Sequence, residues 1–253
     1  MNNSFIGIIP ARYASSRFPG KPLAKIGSMT MIERVYRQAS KELDDVLVAT
    51  DDNRIADAVK AFGGNVVMTS QEHRSGTDRC YEAYRNCGSN ATVVINIQGD
   101  EPFINPKQIS SLKQCFEDES TDIATLARPY DSSNGFEGLF DPNVVKVVRN
   151  QNDMAIYFSR AIIPYIRNHQ WQEWLNRYKF LTHVGMYGYR SITLAEITKL
   201  PQSPLELAES LEQLRWIDNG YRIKVGLTDC PTIGIDTPAD LEEARRFCEQ
   251  NRL

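Results

Sequence analysis

The chain has no surplus of positive charge. Its 253 residues carry a formal net charge of −3, whereas a nucleic-acid partner usually requires a basic face. No nucleic-acid partner is therefore expected. The sequence also lacks any apolar run approaching the length of a membrane span. Its N-terminus has no basic leader and only a short apolar run, unlike a signal peptide. A cytoplasmic protein that does not enter the membrane is the expectation. The five cysteines, Cys80, Cys87, Cys115, Cys230 and Cys248, are odd in number and contain no C-x-x-C pair. They read as reduced, mostly structural thiols. Internal repeats, low-complexity tracts and a clear linker are absent, which favours one domain over residues 1–253. Two common phosphate-binding signatures, the Walker A loop and G-x-G-x-x-G, are missing as well. That argues against a Rossmann dehydrogenase. Nothing resembles a Ser-His-Asp or Cys-His arrangement for covalent catalysis.

What is present is a strand–helix alternation. Phe5 to Ile9 is a continuous apolar run, as a buried parallel strand requires. Met31, Ile32, Val35, Tyr36 and Ala39 recur at helical spacing and predict a helix over about 29–42. Val46–Thr50 predicts the next strand, and a helix begins beyond Asp51 and Asp52. Gly63 and Gly64 stop that helix. A strand over 65–69, a helix over about 76–87 and a strand over 93–97 follow. Short links between such elements imply an α/β fold, with a mostly parallel, Rossmann-like sheet covered by helices on both faces. The regularity fails between about 122 and 190, where a mixed sheet with an antiparallel excursion fits better. Trp171, Trp174 and Tyr178 bring aromatic residues into that polar region. A dimer contact there and an ordinary helix packed on its own domain are equally open.

The chemistry concentrates in a few stretches. Pro10-Ala11-Arg12-Tyr13-Ala14-Ser15-Ser16-Arg17-Phe18-Pro19-Gly20-Lys21 places three cations after the first strand. Ligands of open α/β sheets bind outside the carboxyl ends of strands, and Arg and Lys both suit phosphate. A solvated basic loop is the plain alternative. Asn96-Ile97-Gln98-Gly99-Asp100-Glu101-Pro102 leaves the next apolar run with two carboxylates. Mg²⁺ typically combines one or two carboxylates with substrate phosphates, although a capped, solvated turn would use the same residues. Near the C-terminus, Thr237 reads as a helix N-cap with Pro238 at the first helical position and Asp240 three residues after the cap. Asp236 is left over from that cap and could serve as a second ligand. Ser75 or Thr77 could cap the helix that starts at Gly76. His183, Gly185, Tyr187 and Tyr189 share one face of a strand over 182–189. Ser203-Pro204-Leu205-Glu206 is a capping box. Leu207, Leu211 and Leu214 are then expected on one helical face, with Glu209, Glu212 and Gln213 on a polar face.

These motifs, in this order, resemble the cytidylyltransferases that activate acidic sugars, and most closely the CMP-Kdo synthetase family. The resemblance runs almost to the C-terminus. It implies a nucleotidyltransferase-type fold, a homodimer, and Mg²⁺-dependent transfer of CMP from CTP to 3-deoxy-D-manno-octulosonate (Kdo) for lipopolysaccharide synthesis. Arg12, Arg17, Lys21, Asp100 and Asp236 are the catalytic positions it implies, with Asp100 and Asp236 holding Mg²⁺. It assigns Pro10, Ala11, Arg12, Lys21, Ser75, Gly76, Arg79 and Gln98 to CTP. The sugar would meet Gln98, Arg160, His183, Tyr187, Glu212 and Gln213. A cytidylyltransferase for another acidic sugar and a non-catalytic nucleotide-binding module are the rival readings.

Overall fold

The computed structural model describes residues 3–14 and 18–251. The chain divides into two compact units. The first comprises residues 1–110, 188–198 and 231–253; the second comprises 111–187 and 199–230. The irregular stretch expected over 122–190 falls almost wholly within the second.

The first unit is built on the strand Phe5–Ala11. It pairs in parallel with Val46–Thr50, Gly7 lying opposite Val46, and with Val93–Asn96, Phe5 lying opposite Val93. Asn65–Met68 extends the sheet in parallel beyond Val46–Thr50. Ile6, Ile8 and Ile9 are all buried. Successive strand residues point to opposite faces, so apolar cover lies on both sides of this strand. Helices follow where the apolar period changes. Met31–Ala39 is capped by the Thr30 side chain, Asn53–Ala61 by Asp52, and Gly76–Asn86 by Ser75. Of the two candidate caps for the last helix, Ser75 is therefore the one used. The helix Pro238–Asn251 buries Leu241, Ala244 and Cys248 against Ile26, Met31 and Ile235.

The second unit holds the parallel pair Ile123–Pro129 and Ile223–Leu227. Lys146–Arg149 runs antiparallel to both Ala155–Ser159 and the start of the strand Leu181–Arg190. This is the antiparallel excursion expected from the sequence. Phe136, Leu139, Trp174 and Phe180 form a small core there. Trp174 thus belongs to the interior, while Trp171 and Tyr178 remain exposed.

One expected element is corrected. No single helix carries Leu207, Leu211 and Leu214 on one stripe. The helix Pro204–Glu209 ends at Ser210, which adopts the left-handed conformation with φ 51°, and a new helix runs from Gln213 to Asp218. Leu207 is consequently 60% exposed, whereas Leu211 and Leu214 are buried. Gln213 is buried as well, so it is not part of a solvated face.

Candidate active site

The site in the first unit begins with the turn before Lys21. Gly20 has φ 71°, and a side chain there would meet the Tyr13 ring at 3.2 Å. Its N–H donates to the Tyr13 carbonyl at 2.8 Å. A short 3-10 turn, Lys21–Leu23 with Pro22, follows. The Lys21 main chain is thereby fixed while its flexible side chain reaches away.

The Lys21 ammonium has three acceptors. It donates to Asp100 Oδ2 at 2.7 Å, to the Ile235 carbonyl at 2.9 Å and to Asp236 Oδ1 at 3.4 Å. Residues far apart in sequence thus converge on one nitrogen. The main chain ties the same segments together, since the Ile235 N–H donates to the Asp100 carbonyl at 3.0 Å. The expected cap beyond Asp236 is present. Asp240 Oδ2 accepts from the N–H groups of Asp236 and Thr237, and the Asp240 N–H donates to the Thr237 hydroxyl. The donor at Asp236 is the main cause that holds the Asp240 carboxyl below its usual range. The Asp236 side chain is not consumed by the cap, as its position in the sequence suggested.

Gly99 supplies the tight bend before Asp100. A Cβ at Gly99 would lie 2.9 Å from the Pro10 carbonyl oxygen, so the two strand ends approach closely only because the side chain is missing. Burial, and then the neighbouring Asp100 charge, pushes the Glu101 carboxyl up to about 7.

Among the described residues there is no cluster of three or more His, Cys, Asp or Glu side chains suited to a metal. The Asp100–Asp236 pair nevertheless fits Mg²⁺. Both supply hard oxygens, the number is usual when substrate phosphates complete the shell, and a cation, the Lys21 ammonium, already sits between them.

The other first-unit candidates lie around the start of the helix Gly76–Asn86. Arg12 donates from Nη2 to the His73 carbonyl. Burial and then the adjacent Arg79 lower its pKa, with Asp51 and Asp78 opposing. Arg79 is fully buried. It is engaged by Asp51 Oδ2 at 2.7 Å and the Thr69 hydroxyl at 2.6 Å. A Cβ at Gly76 would come within 3.5 Å of the Pro10 ring and 3.7 Å of Asn96 Nδ2. Pro10, Gly76 and Asn96 are therefore neighbours. Ala11 is buried at the end of its strand, opposite Thr50, and Gln98 is half-buried. Arg17 lies outside the described residues.

The second unit gathers His183, Tyr187 and Glu212. The His183 and Tyr187 rings lie 5.3 Å apart. The Tyr187 hydroxyl is pushed well above its ordinary pKa by burial, then by the Glu212 charge. His183 Nε2 pairs with the Thr125 hydroxyl at 2.9 Å, and burial holds its imidazole down at about 4. Arg160 is set differently from an open anion receptor. It donates to the main-chain carbonyls of Glu209 at 2.6 Å, Pro142 at 2.7 Å and Ser210 at 3.2 Å. Glu209, expected on a solvated face, accepts from the Ser159 hydroxyl and the Arg160 N–H.

Sequence reasoning passed over the Ile235 carbonyl, because a main-chain acceptor leaves no residue-type signal. It also passed over Asp51 and Thr69, the partners of Arg79. Their positions at strand ends were the available clue.

A family model described as cytidylyltransferase matches residues 6–223. A 3-deoxy-manno-octulosonate cytidylyltransferase of Parabacteroides distasonis is 63% identical over 244 residues, covering 96% of this chain and 97% of the relative. A Bacteroides thetaiotaomicron protein of the same name is 60% identical over 243 residues, covering 96% and 97%. Among solved structures, a CMP:2-keto-3-deoxy-manno-octonic acid synthetase complexed with CTP superposes with a TM-score of 0.89 at 42% identity, covering 98% of this chain and 99% of that one.

Proposed function

The chain belongs to the cytidylyltransferase family, among the 3-deoxy-manno-octulosonate cytidylyltransferases, and from that premise we propose that it transfers CMP from CTP to the anomeric hydroxyl of Kdo, releasing pyrophosphate. The observation that carries this reading is the convergence of Lys21, Asp100 and Asp236 at one point. It occurs where the first strand, the Gly99 turn and the C-terminal helix deliver them.

The sugar hydroxyl attacks the α-phosphate in line and gives up its proton to solvent, and pyrophosphate leaves with the electron pair of the broken P–O bond. Such transfers depend on positioning and charge neutralisation more than on covalent chemistry. Lys21 and Arg12 offset charge on the triphosphate, with Arg17 in the same role. Pro10, Ala11, Ser75, Gly76 and Gln98 border the nucleotide, and Arg79, held by Asp51 and Thr69, lies in the same set. His183, Tyr187, Glu212 and Gln213 offer hydrogen bonds to the sugar, and Arg160 shapes its surroundings. Asp100 and Asp236 hold Mg²⁺, which when bound would supply Lewis-acid charge at the reacting oxygens. The reading extends to a cytoplasmic enzyme whose product serves lipopolysaccharide synthesis. It is supported there by the family and by the lack, among the described residues, of any helix long and apolar enough to cross a membrane.

The test is pyrophosphate release from the purified protein with CTP, Mg²⁺ and Kdo, beside reactions lacking each in turn. Release should require all three. Removing a preorganised electrostatic group costs roughly 3–4 kcal/mol, so Asp100→Asn and Asp236→Asn should each lower turnover by about a hundredfold or more. Release with a different acidic sugar alone would replace Kdo as the substrate. Binding of CTP without release would favour a silent nucleotide-binding module.

A further inference from the structure

We infer that Lys21 is a resident counter-cation that occupies the metal subsite of the nucleotide-free protein and leaves it when a metal–nucleotide complex arrives. The inference rests on the reading of Asp100 and Asp236 as metal ligands. It concerns the order in which charges enter the site.

An ammonium has three N–H donors. All three are spent in this structure, on Asp100 Oδ2, the Ile235 carbonyl and Asp236 Oδ1. In this arrangement Lys21 has no donor left for a phosphate. A divalent ion at the same two carboxylates would need oxygen ligands at roughly 2.0–2.1 Å. The nitrogen stands 2.7 Å and 3.4 Å from the carboxylate oxygens, so ion and ammonium cannot occupy the place together.

The charges favour an exchange. One ammonium brings a single positive charge to these two carboxylates. A divalent ion compensates both, and the freed ammonium can then compensate the triphosphate. The Lys21 side chain has four flexible carbons, while Gly20 and Pro22 hold its main chain in place. The ammonium can therefore move without the loop moving. Without nucleotide, a metal entering the site must displace Lys21 with no anion to receive it. Nucleotide supplies that anion, so metal and nucleotide binding should each strengthen the other.

The probe is Mn²⁺ titrated by electron paramagnetic resonance, with neither CTP nor sugar present. Wild-type protein should bind it weakly. Lys21→Met and Lys21→Gln should each bind it about tenfold more tightly or better, the scale of removing one unit charge a few ångströms away. Adding Asp236→Asn to Lys21→Met should abolish the gain, placing the ion on these carboxylates. Circular dichroism of each variant establishes that it is folded. Equal Mn²⁺ affinity in the wild type and both folded Lys21 variants, whether tight or absent, would overturn the inference. Because nothing here requires turnover, an inactive protein that shows the gain would overturn only the proposed activity. An active protein without the gain would overturn only this exchange.

Discussion

At the scale of single residues, burial and pairing decide what each group can do. His183 shows this. Its imidazole is held at about 4 by burial alone, with Phe158 edge-on at a ring separation of 5.1 Å and the Thr125 hydroxyl at Nε2. At pH 7 it is neutral, so it can offer a hydrogen bond and adds no positive charge. The folded pKa lies below the unfolded value near 6.5. Between those values the unfolded chain binds a proton that the folded chain refuses. Stability from this residue is complete above about pH 6.5 and is lost as the pH falls toward 4. We predict that the wild type loses roughly 1–2 kcal/mol more than His183→Asn between pH 7 and pH 5, measured by urea unfolding at each pH. Equal losses would mean that the folded protein protonates His183 freely.

At the scale of elements, the turn that ends Val93–Asn96 sets the position of Asp100. Gly99 permits it by letting the turn rest against the Pro10 carbonyl oxygen, 2.9 Å from where a Cβ would stand. That oxygen belongs to a central strand and cannot rotate away as a side chain could. Gly99→Ala should push the turn, and Asp100 with it, away from Lys21. A displacement near 1 Å can cost on the order of a hundredfold in rate. We therefore predict a ten- to hundredfold fall in pyrophosphate release, with the circular dichroism spectrum retained. A normal rate would show that the turn adapts. Such local features were legible in the sequence. The strands around Phe5–Ala11 announced themselves as apolar runs, and Ser203 and Thr237 announced their caps, with the third cap narrowed to Ser75 or Thr77, since a cap is set by residues within one helical turn. The break at Ser210 was not legible, because a left-handed residue at a helix end is usually Gly or Asn rather than Ser. Glu206 turns toward Arg215, with Oε2 2.7 Å from Nε, and Leu211 donates to the Glu206 carbonyl. Gln213 is drawn into the interior. Arg160 was not legible either: its three carbonyl partners come from two separate segments that no spacing rule connects. The pairing of Asp100 with Asp236 was implied by family resemblance alone, since no periodicity links them.

At the scale of the whole molecule, the feature that remains is an aromatic surface on the second unit. Phe140 is 59% exposed and Tyr165 74% exposed. Neither stands alone. Phe136 and Trp171 are 4.9 Å apart, Phe140 and Trp171 6.1 Å, and Tyr165 and Trp174 4.9 Å. The exposed rings are therefore the outer edge of a cluster whose inner members, Phe136 and Trp174, are buried. Scattered exposed apolar residues need no explanation, but a connected patch marks an interaction surface. This is the stretch for which the sequence left a dimer contact open, and the family resemblance implies a homodimer. We accordingly propose that this surface contributes to a two-fold contact between copies of the chain. A stable contact of that kind removes about 800 Å² per partner from water, and aromatic residues commonly dominate its energy. Sedimentation equilibrium should give twice the mass of one chain at micromolar concentration. Tyr165→Glu combined with Trp171→Glu should shift it to one chain while circular dichroism shows the fold intact, because two buried, unpaired carboxylates oppose association strongly. A wild-type protein at the mass of one chain would remove the dimer. A double variant still at twice the mass would move the contact to another face.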